Sequence, residues 1–433
     1  MELKTNNMAD KQKKTTKKKL ALHWQILIGI GAGILAGILL CRIAPYESWS
    51  PYIKWAGDIF LRGLRMIVIP LVFSSIALGV AGMGDSAALG RIAGKTIAYY
   101  IITTIIAATI GLTLVNLVKP GVGASLNLSE NVEALGAASG EVSFIDQIVG
   151  IVPSNIFESM AKGDLLPIIF FAVVFGFFIN KVDEKYRNFQ TDLLTSIYEI
   201  IMKITFFIIR LAPYGVFAIV TNVVGKQADD PQALLSMAGS LGIFVLVVWA
   251  GLLIQGGVIL PGLVRILGKQ NPWKHMSKMS TTLLTAFSTC SSGAALPVNI
   301  RDTQEKCGVS NRIASFVLPL GSTINMNGTA LYECVTAIFI AQAYGIDLSL
   351  AQQVMIVFTA LLAAIGTAGI PMAGMVMLTI VLSAVGLPLE GIGLVLAVEQ
   401  LCDMPRTMIN CYGDACGAVI IAHSEGEEMT IND

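Results

Sequence analysis

Charge is scarce in this 433-residue chain. Only 13% of its residues are Asp, Glu, Lys or Arg, and the two signs cancel. A soluble domain spends about a quarter of its residues on charge, so a water-facing globule would be left with large apolar patches. Zero net charge also removes the global field that would draw in nucleic acid or another polyanion. Histidine is nearly absent, with three residues (His23, His275, His423), each near an end of an apolar segment. Cysteine is present seven times, an odd number without a CxxC pair, which excludes a disulfide framework or a zinc cluster. Cys290, Cys334, Cys402, Cys411 and Cys416 sit inside apolar runs and read as small buried hydrophobes.

Apolar side chains fill the gap, at 55% of residues and a mean hydropathy of +0.72. The bilayer is the natural solvent for such a chain, because a spanning helix needs about 20 mostly apolar residues. Residues 1–19 form a basic tail with Lys11, Lys13, Lys14, Lys17, Lys18 and Lys19. The run Leu20–Leu40 is too long for a signal peptide core and has no small-residue cleavage site after it. It reads as a first helix whose lysines keep the N-terminus in the cytoplasm. Further apolar segments centre on 58–82, 92–118, 144–180, 191–224 and 234–266. The loop at 119–142 carries Glu130, Glu133 and Glu141 and reads as external, whereas Lys181–Arg187 and Arg265–Lys278 read as internal.

Beyond Lys278 two apolar stretches are interrupted by small and helix-breaking residues. They are Ser288-Thr-Cys-Ser-Ser-Gly-Ala-Ala-Leu-Pro297 and Ala364-Ile-Gly-Thr-Ala-Gly-Ile-Pro-Met-Ala-Gly374. Backbone groups freed at such breaks cannot face lipid, so they are buried in protein or line a cavity. A pair of interrupted segments points to the binding site of a transporter. Closely packed, kinked helices would leave the same trace.

The last apolar segment adds Asp403, Arg406, Thr407, Asn410 and Asp414, at offsets of 3, 4, 7 and 11 from the first. At 100° per residue they share roughly a 100° arc of one helix. Ionic groups inside an apolar span cost about 2.5–3.5 kcal/mol each, so they face the protein interior, paired or bound to solute. Arg406 offers a fork that matches a carboxylate, Asp403 can take an ammonium group, and Asp414 suits a small cation. An Asp403–Arg406 salt bridge that only stabilises the bundle is the plainer reading. Upstream, Gly321-Ser-Thr-Ile-Asn-Met-Asn-Gly-Thr329 is rich in poor helix formers, so an unwound turn is expected there. Glu333 lies one turn beyond Thr329 and could carry a proton or sit neutral and hydrogen-bonded.

These residues are where a family resemblance enters. Leu318-Pro-Leu-Gly-Ser-Thr-Ile-Asn-Met-Asn-Gly-Thr-Ala-Leu-Tyr332, Gly366-Thr-Ala-Gly-Ile-Pro371 and Asp403-Met-Pro-Arg-Thr-Met-Ile-Asn-Cys-Tyr-Gly-Asp414 resemble the glutamate transporter family, the dicarboxylate/amino acid:cation symporters. The resemblance runs over nearly the whole chain. It implies an all-α membrane protein of eight transmembrane helices and two re-entrant helical hairpins, with inverted repeats and an elevator-type transport mechanism. The chain would divide into the basic tail, six membrane helices in 20–266, a transport core in 274–423 and a cytoplasmic tail in 424–433. A homotrimer in the plasma or inner membrane follows, with both termini cytoplasmic.

The resemblance also implies a substrate site from Ser291, Ser292, Thr329, Gly369, Asp403, Arg406, Thr407 and Asn410. Arg406 stands where members that carry acidic amino acids place the partner of the side-chain carboxylate. One sodium site would use carbonyls of Gly321 and Asn325 with Asn410 and Asp414. A second would use carbonyls near Thr323, Ala364, Ile365 and Thr367, and a third Tyr100, Thr103, Thr104, Asn325 and Asn327. Many sodium-coupled members have Asp where this chain has Asn327, and Glu333 matches the proton-carrying position of other members. The expected coupling ion is therefore Na+, H+ or both, with no cofactor. The expected activity is uptake of glutamate or aspartate, a neutral amino acid or C4-dicarboxylate being the alternative cargo. A serine hydrolase using Ser291 or Ser292 would need a base within hydrogen-bond reach, and no histidine or lysine lies near that motif. A solute-gated channel would be told apart by whether uptake is concentrative.

Overall fold

A computed structural model of the chain describes residues 22–81, 87–123, 149–150, 152–162, 165–227, 231–366 and 373–431. The basic tail and the acidic part of the 119–142 loop lie outside the described residues. Among the described residues every regular element is helical. In order they are α1 (Leu22–Ile43), α2 (Tyr46–Ala81), α3 (Ala87–Val118), α4 (Ile156–Lys162), α5 (Leu165–Ile179), α6 (Glu184–Arg210) and α7 (Ala212–Gln227). They continue with α8 (Pro231–Ile254), a π-turn (Gln255–Ile259), α9 (Leu260–Ile266), α10 (Pro272–Lys278), α11 (Ser280–Thr289) and α12 (Ser292–Glu305). The last are α13 (Asn311–Ile324), α14 (Asn327–Ala343), α15 (Leu350–Gly366), α16 (Ala373–Ala384), a 3-10 turn (Leu389–Gly391), α17 (Ile392–Val395) and α18 (Glu399–Ser424).

Among the described residues, Trp24–Ile43, Arg91–Val118 and Leu235–Ile266 are long and apolar enough to cross a bilayer. Glu184–Arg210 and Ala212–Lys226, bent by 50° at the break, make a fourth if counted as one span. The segment read as one apolar run at 191–224 is thus α6 and α7 meeting at an angle.

Small residues set how closely the helices approach. Gly29, Gly33 and Gly37 repeat every fourth position on α1, facing α7. A Cβ on these would stand 2.6 Å from Pro213 O, 2.9 Å from Phe217 O and 2.9 Å from Thr221 O. Only glycine permits that backbone contact, which is the small-xxx-small packing of membrane helices. The helix α2 lies against α5, α6 and α7, and α3 runs along α14.

At the centre, every residue of α14 except Gln342 is buried, and α18 is buried from Ile409 to Ala422. The helices α11 and α12 form an antiparallel hairpin against α18, reversing at Cys290, whose φ of 51° is left-handed. The helices α15 and α16 pair in the same way, although 367–372 at their junction lie outside the described residues. The expected unwinding falls at Asn325 and Met326, whose ψ angles of 70° and 57° leave the helical region between α13 and α14. At the far end, Glu425 receives Arg91 and Lys95 from α3, the latter at 2.7 Å. Those two hydrogen-bonded cations hold its carboxyl down to about 2. All seven cysteines are free thiols, and all but Cys41 are buried.

Candidate functional site

The site is assembled on α18. Proline at 405 leaves the Leu401 carbonyl without its helical donor, and the Trp249 indole fills that place at 3.0 Å. The helix therefore continues through the proline and presents Asp403, Arg406, Thr407, Asn410 and Asp414 inward, each no more than 5% exposed. Arg406 Nη2 donates to Asp403 Oδ1 at 2.6 Å and to Glu399 Oε1 at 2.8 Å. Its guanidinium also lies 4.4 Å from the Tyr332 ring centroid, in cation–π contact. Its Nη1 has no hydrogen-bond partner. Thr407 Oγ1 donates to Asp403 Oδ1 at 3.2 Å.

One turn on, Asn410 reaches across to the unwound segment. Its Nδ2 donates to Thr329 Oγ1 at 3.1 Å, and its Oδ1 accepts from the Gly328 N–H at 2.8 Å. Asn410 therefore ties the start of α14, just past the break, to α18. Beyond it, Asn325 Nδ2 donates to Asp414 Oδ1 at 2.8 Å. Gly321 backs onto this pair, and a Cβ there would lie 2.4 Å from Asp414 Oδ1 and 2.6 Å from the Tyr100 hydroxyl. The cluster is completed from α3 and the π-turn. Thr103 Oγ1 lies 3.5 Å from Asn325 Oδ1, and Gln255 Nε2 donates to the Thr103 carbonyl at 3.3 Å. Tyr100 OH donates to Val317 O at 2.8 Å, and Thr104, which follows Thr103, is buried.

Several buried side chains among the described residues keep an unpartnered polar atom, and on α14 two of them, Asn327 and Glu333, have every side-chain polar atom unpartnered. Asn327 has neither its oxygen nor its nitrogen hydrogen-bonded, although it lies against α18, where a Cβ on Gly413 would be 2.7 Å from its Nδ2. Glu333 is fully buried with both carboxyl oxygens unpartnered. Buried polar groups in native proteins are nearly always satisfied, so these two stand out on a helix that packs against α18.

The structure joins Asp403, Arg406 and Thr407 to one another and Asn410 to Thr329 along one face of α18, and gathers Tyr100, Thr103, Gly321, Asn325 and Asp414 into a cluster one turn further on. Ser291 stands at the hairpin reversal and caps α12 by accepting from the Ala294 N–H at 3.2 Å. Ser292 is buried next to it. Thr323 turns its hydroxyl back to the Leu320 carbonyl at 3.1 Å, and Ala364 is buried in α15. Ile365 belongs to α15, while Thr367 and Gly369 lie outside the described residues. Sequence reasoning missed Glu399 and Tyr332 at Arg406, and Gln255 at Thr103. Glu399 left a signal, being four residues before Asp403 and only about 40° round the same helix. The other two come from helices whose approach no local pattern announces.

Residues 22–424 match the sodium:dicarboxylate symporter family. The chain is 37% identical over 415 residues to the proton/sodium-glutamate symport protein of Bacillus caldotenax, covering 95% of this chain and 96% of that protein. It is also 37% identical to the proton/glutamate-aspartate symporter of Escherichia coli, over 94% and 93% of the two chains. Mouse excitatory amino acid transporter 3 is 34% identical over 95% of this chain and 88% of its own length.

Proposed function

The chain belongs to the sodium:dicarboxylate symporter family, and on that premise we propose that it takes up glutamate or aspartate together with Na+, H+ or both. It is a membrane transporter and not an enzyme. The observation that carries the choice of cargo is Arg406. A cation buried at 2% exposure, with one guanidinium edge unpartnered, suits a second carboxylate that a neutral amino acid lacks. Asp403 would receive the ammonium group and Thr407 and Asn410 the main-chain end of the substrate. Ser291 and Ser292 would close on it from one hairpin tip and Gly369 from the other, with Thr329 contributed by the start of α14.

The cation sites follow the second cluster. Asp414, with Asn325, Asn410 and the Gly321 carbonyl, would hold one Na+. Carbonyls near Thr323, Ala364, Ile365 and Thr367 would hold another. Asn327 would make a third site, with Tyr100, Thr103, Thr104 and Asn325, neutral where other members carry Asp. Glu333, buried and unpartnered, would then carry a proton in place of that missing charge. The two helical hairpins would be re-entrant within an eight-helix, inverted-repeat bundle, moving by an elevator against a trimeric scaffold drawn from 20–266, whose third and sixth membrane helices would belong to the transport domain. Both termini would lie in the cytoplasm of a cell whose plasma membrane holds the protein.

Competition against labelled aspartate uptake tests the cargo. Glutamate is expected to abolish the signal, while serine, alanine and succinate leave most of it. Stronger competition by succinate or serine than by glutamate would reassign the cargo within the family.

A further inference from the structure

Arg406 has two edges, and the fold commits only one of them. Nη2 is held by Glu399 Oε1 at 2.8 Å and Asp403 Oδ1 at 2.6 Å, while Nη1 is unpartnered. The guanidinium rests on the Tyr332 ring, and Gly374 of α16 comes up against the open edge. A Cβ at 374 would lie 2.6 Å from Nη1, so any side chain there would occupy the space at that edge. Glu399 itself is 1% exposed and leaves Oε2 without a partner. Burying a carboxylate on such terms is unfavourable unless it serves a purpose. Charge balance alone does not supply one, because Asp403 already gives Arg406 a counter-charge.

We infer that Glu399 is a positioning residue for the substrate: it pins the Nη2 edge of Arg406 so that Nη1 faces the carboxylate of the acidic side chain. This rests on the reading that Arg406 takes that carboxylate. An arginine reaches through several rotatable bonds but ends in a rigid planar fork. Fixing one edge from below therefore fixes the direction of the other, and the tilt is set by the Tyr332 face. Asp403 cannot do this alone, because its Oδ1 is shared with the Thr407 hydroxyl and sits three residues away on the same helix. With Glu399, Nη2 is held from two positions, one turn apart on α18. The sequence then places glutamate at the first turn of the helix for a contact seven residues later.

The test separates anchoring from bulk and from charge. Glu399→Met keeps the size of the side chain but removes every acceptor, whereas Glu399→Gln keeps an acceptor for Nη2 and removes only the charge. Labelled aspartate uptake is measured in proteoliposomes holding equal amounts of protein that elutes as the wild type does. The Met variant is expected to raise KM at least tenfold with less than a threefold fall in Vmax. The Gln variant is expected to stay within threefold of the wild-type KM, because it loses bond strength but also loses repulsion toward the incoming anion. If the Met variant is not recovered folded, Glu399→Asp replaces it, since its carboxylate is one methylene too short to reach and the same KM rise is expected. A Met or Asp variant with wild-type KM overturns the inference, as does a Gln variant as impaired as Met. A merely structural role would lower Vmax or folded yield without this split in KM. Wild-type protein that carries no acidic amino acid would overturn the transport reading itself, before any variant is made.

Discussion

The first 266 residues and the remainder bury different chemistry. In the N-terminal part, the buried polar side chains are hydroxyls and amides: Ser74, Thr96, Thr103, Thr205, Asn222 and Gln255 among them. Every charged side chain that is buried among the described residues lies later, at Asp302, Glu333, Glu399, Asp403, Arg406 and Asp414. The N-terminal part also carries most of the exposed large apolar side chains, such as Leu35, Tyr52, Trp55, Phe189 and Phe207. Helices of that kind are made stable by close packing, as at Gly29, Gly33 and Gly37, and their outward faces need lipid or another subunit. In the C-terminal part most of that buried charge is partnered within the chain, as at Asp302, Glu399, Asp403, Arg406 and Asp414. The N-terminal part is thus marked by the charge it lacks inside, and the C-terminal part by the charge it retains at a cost.

That contrast can be broken in order of expected effect. Removing Arg406 should matter most. Arg406→Ala leaves Asp403 and Glu399 buried without their shared cation, a loss of about 3–5 kcal/mol in comparable pairs. Aspartate uptake should fall by more than a hundredfold while the protein still elutes as folded. Retained glutamate transport in this variant would contradict the assignment. Next comes the cation cluster. Asn327→Asp supplies the missing carboxylate beside Asn325, and uptake should become more strongly dependent on Na+ and less on H+. Unchanged ion dependence would show that position 327 takes no part in coupling.

Smaller effects are expected in the scaffold. Gly29→Ala forces α1 away from Pro213, and overpacking of this kind costs roughly 1–3 kcal/mol. The thermal midpoint should drop while the substrate KM stays put; a shifted KM would tie α1 to the site. The least effect belongs to the Glu425 bridge to Arg91 and Lys95, since solvent screens ion pairs whose cations are this exposed. The carboxyl is depressed from its ordinary 4.5 to about 2. Its stabilisation is therefore complete above about pH 4.5 and disappears as pH falls toward 2. Glu425→Gln should lower the midpoint slightly at pH 7, and high salt should erase the difference.

Much of the C-terminal part is legible in the residues alone. The stripe from Asp403 to Asp414 announces itself because ionic residues at helical spacing in an apolar run have few explanations. The break at Asn325–Met326 is legible from poor helix formers, and the reversal at Cys290 from the Ser/Gly/Pro interruption. Harder to read is anything decided by two distant helices. Tyr332 meets Arg406 face-on only because α14 crosses α18 at that level, and Gln255 reaches Thr103 through a π-turn that composition does not signal. The 50° bend between α6 and α7 is likewise invisible inside a continuous apolar segment. Glu399 is readable, lying on the stripe, but it precedes the motif that draws attention.

The central claim is that the buried charge of the C-terminal part couples an acidic solute to a cation. Its most direct test is labelled glutamate uptake into proteoliposomes under an imposed inward gradient of Na+, of H+, or of both. The account predicts accumulation above the external concentration under at least one gradient, with collapse when that gradient is dissipated. Glutamate that merely equilibrates under every gradient would contradict it and point to a channel.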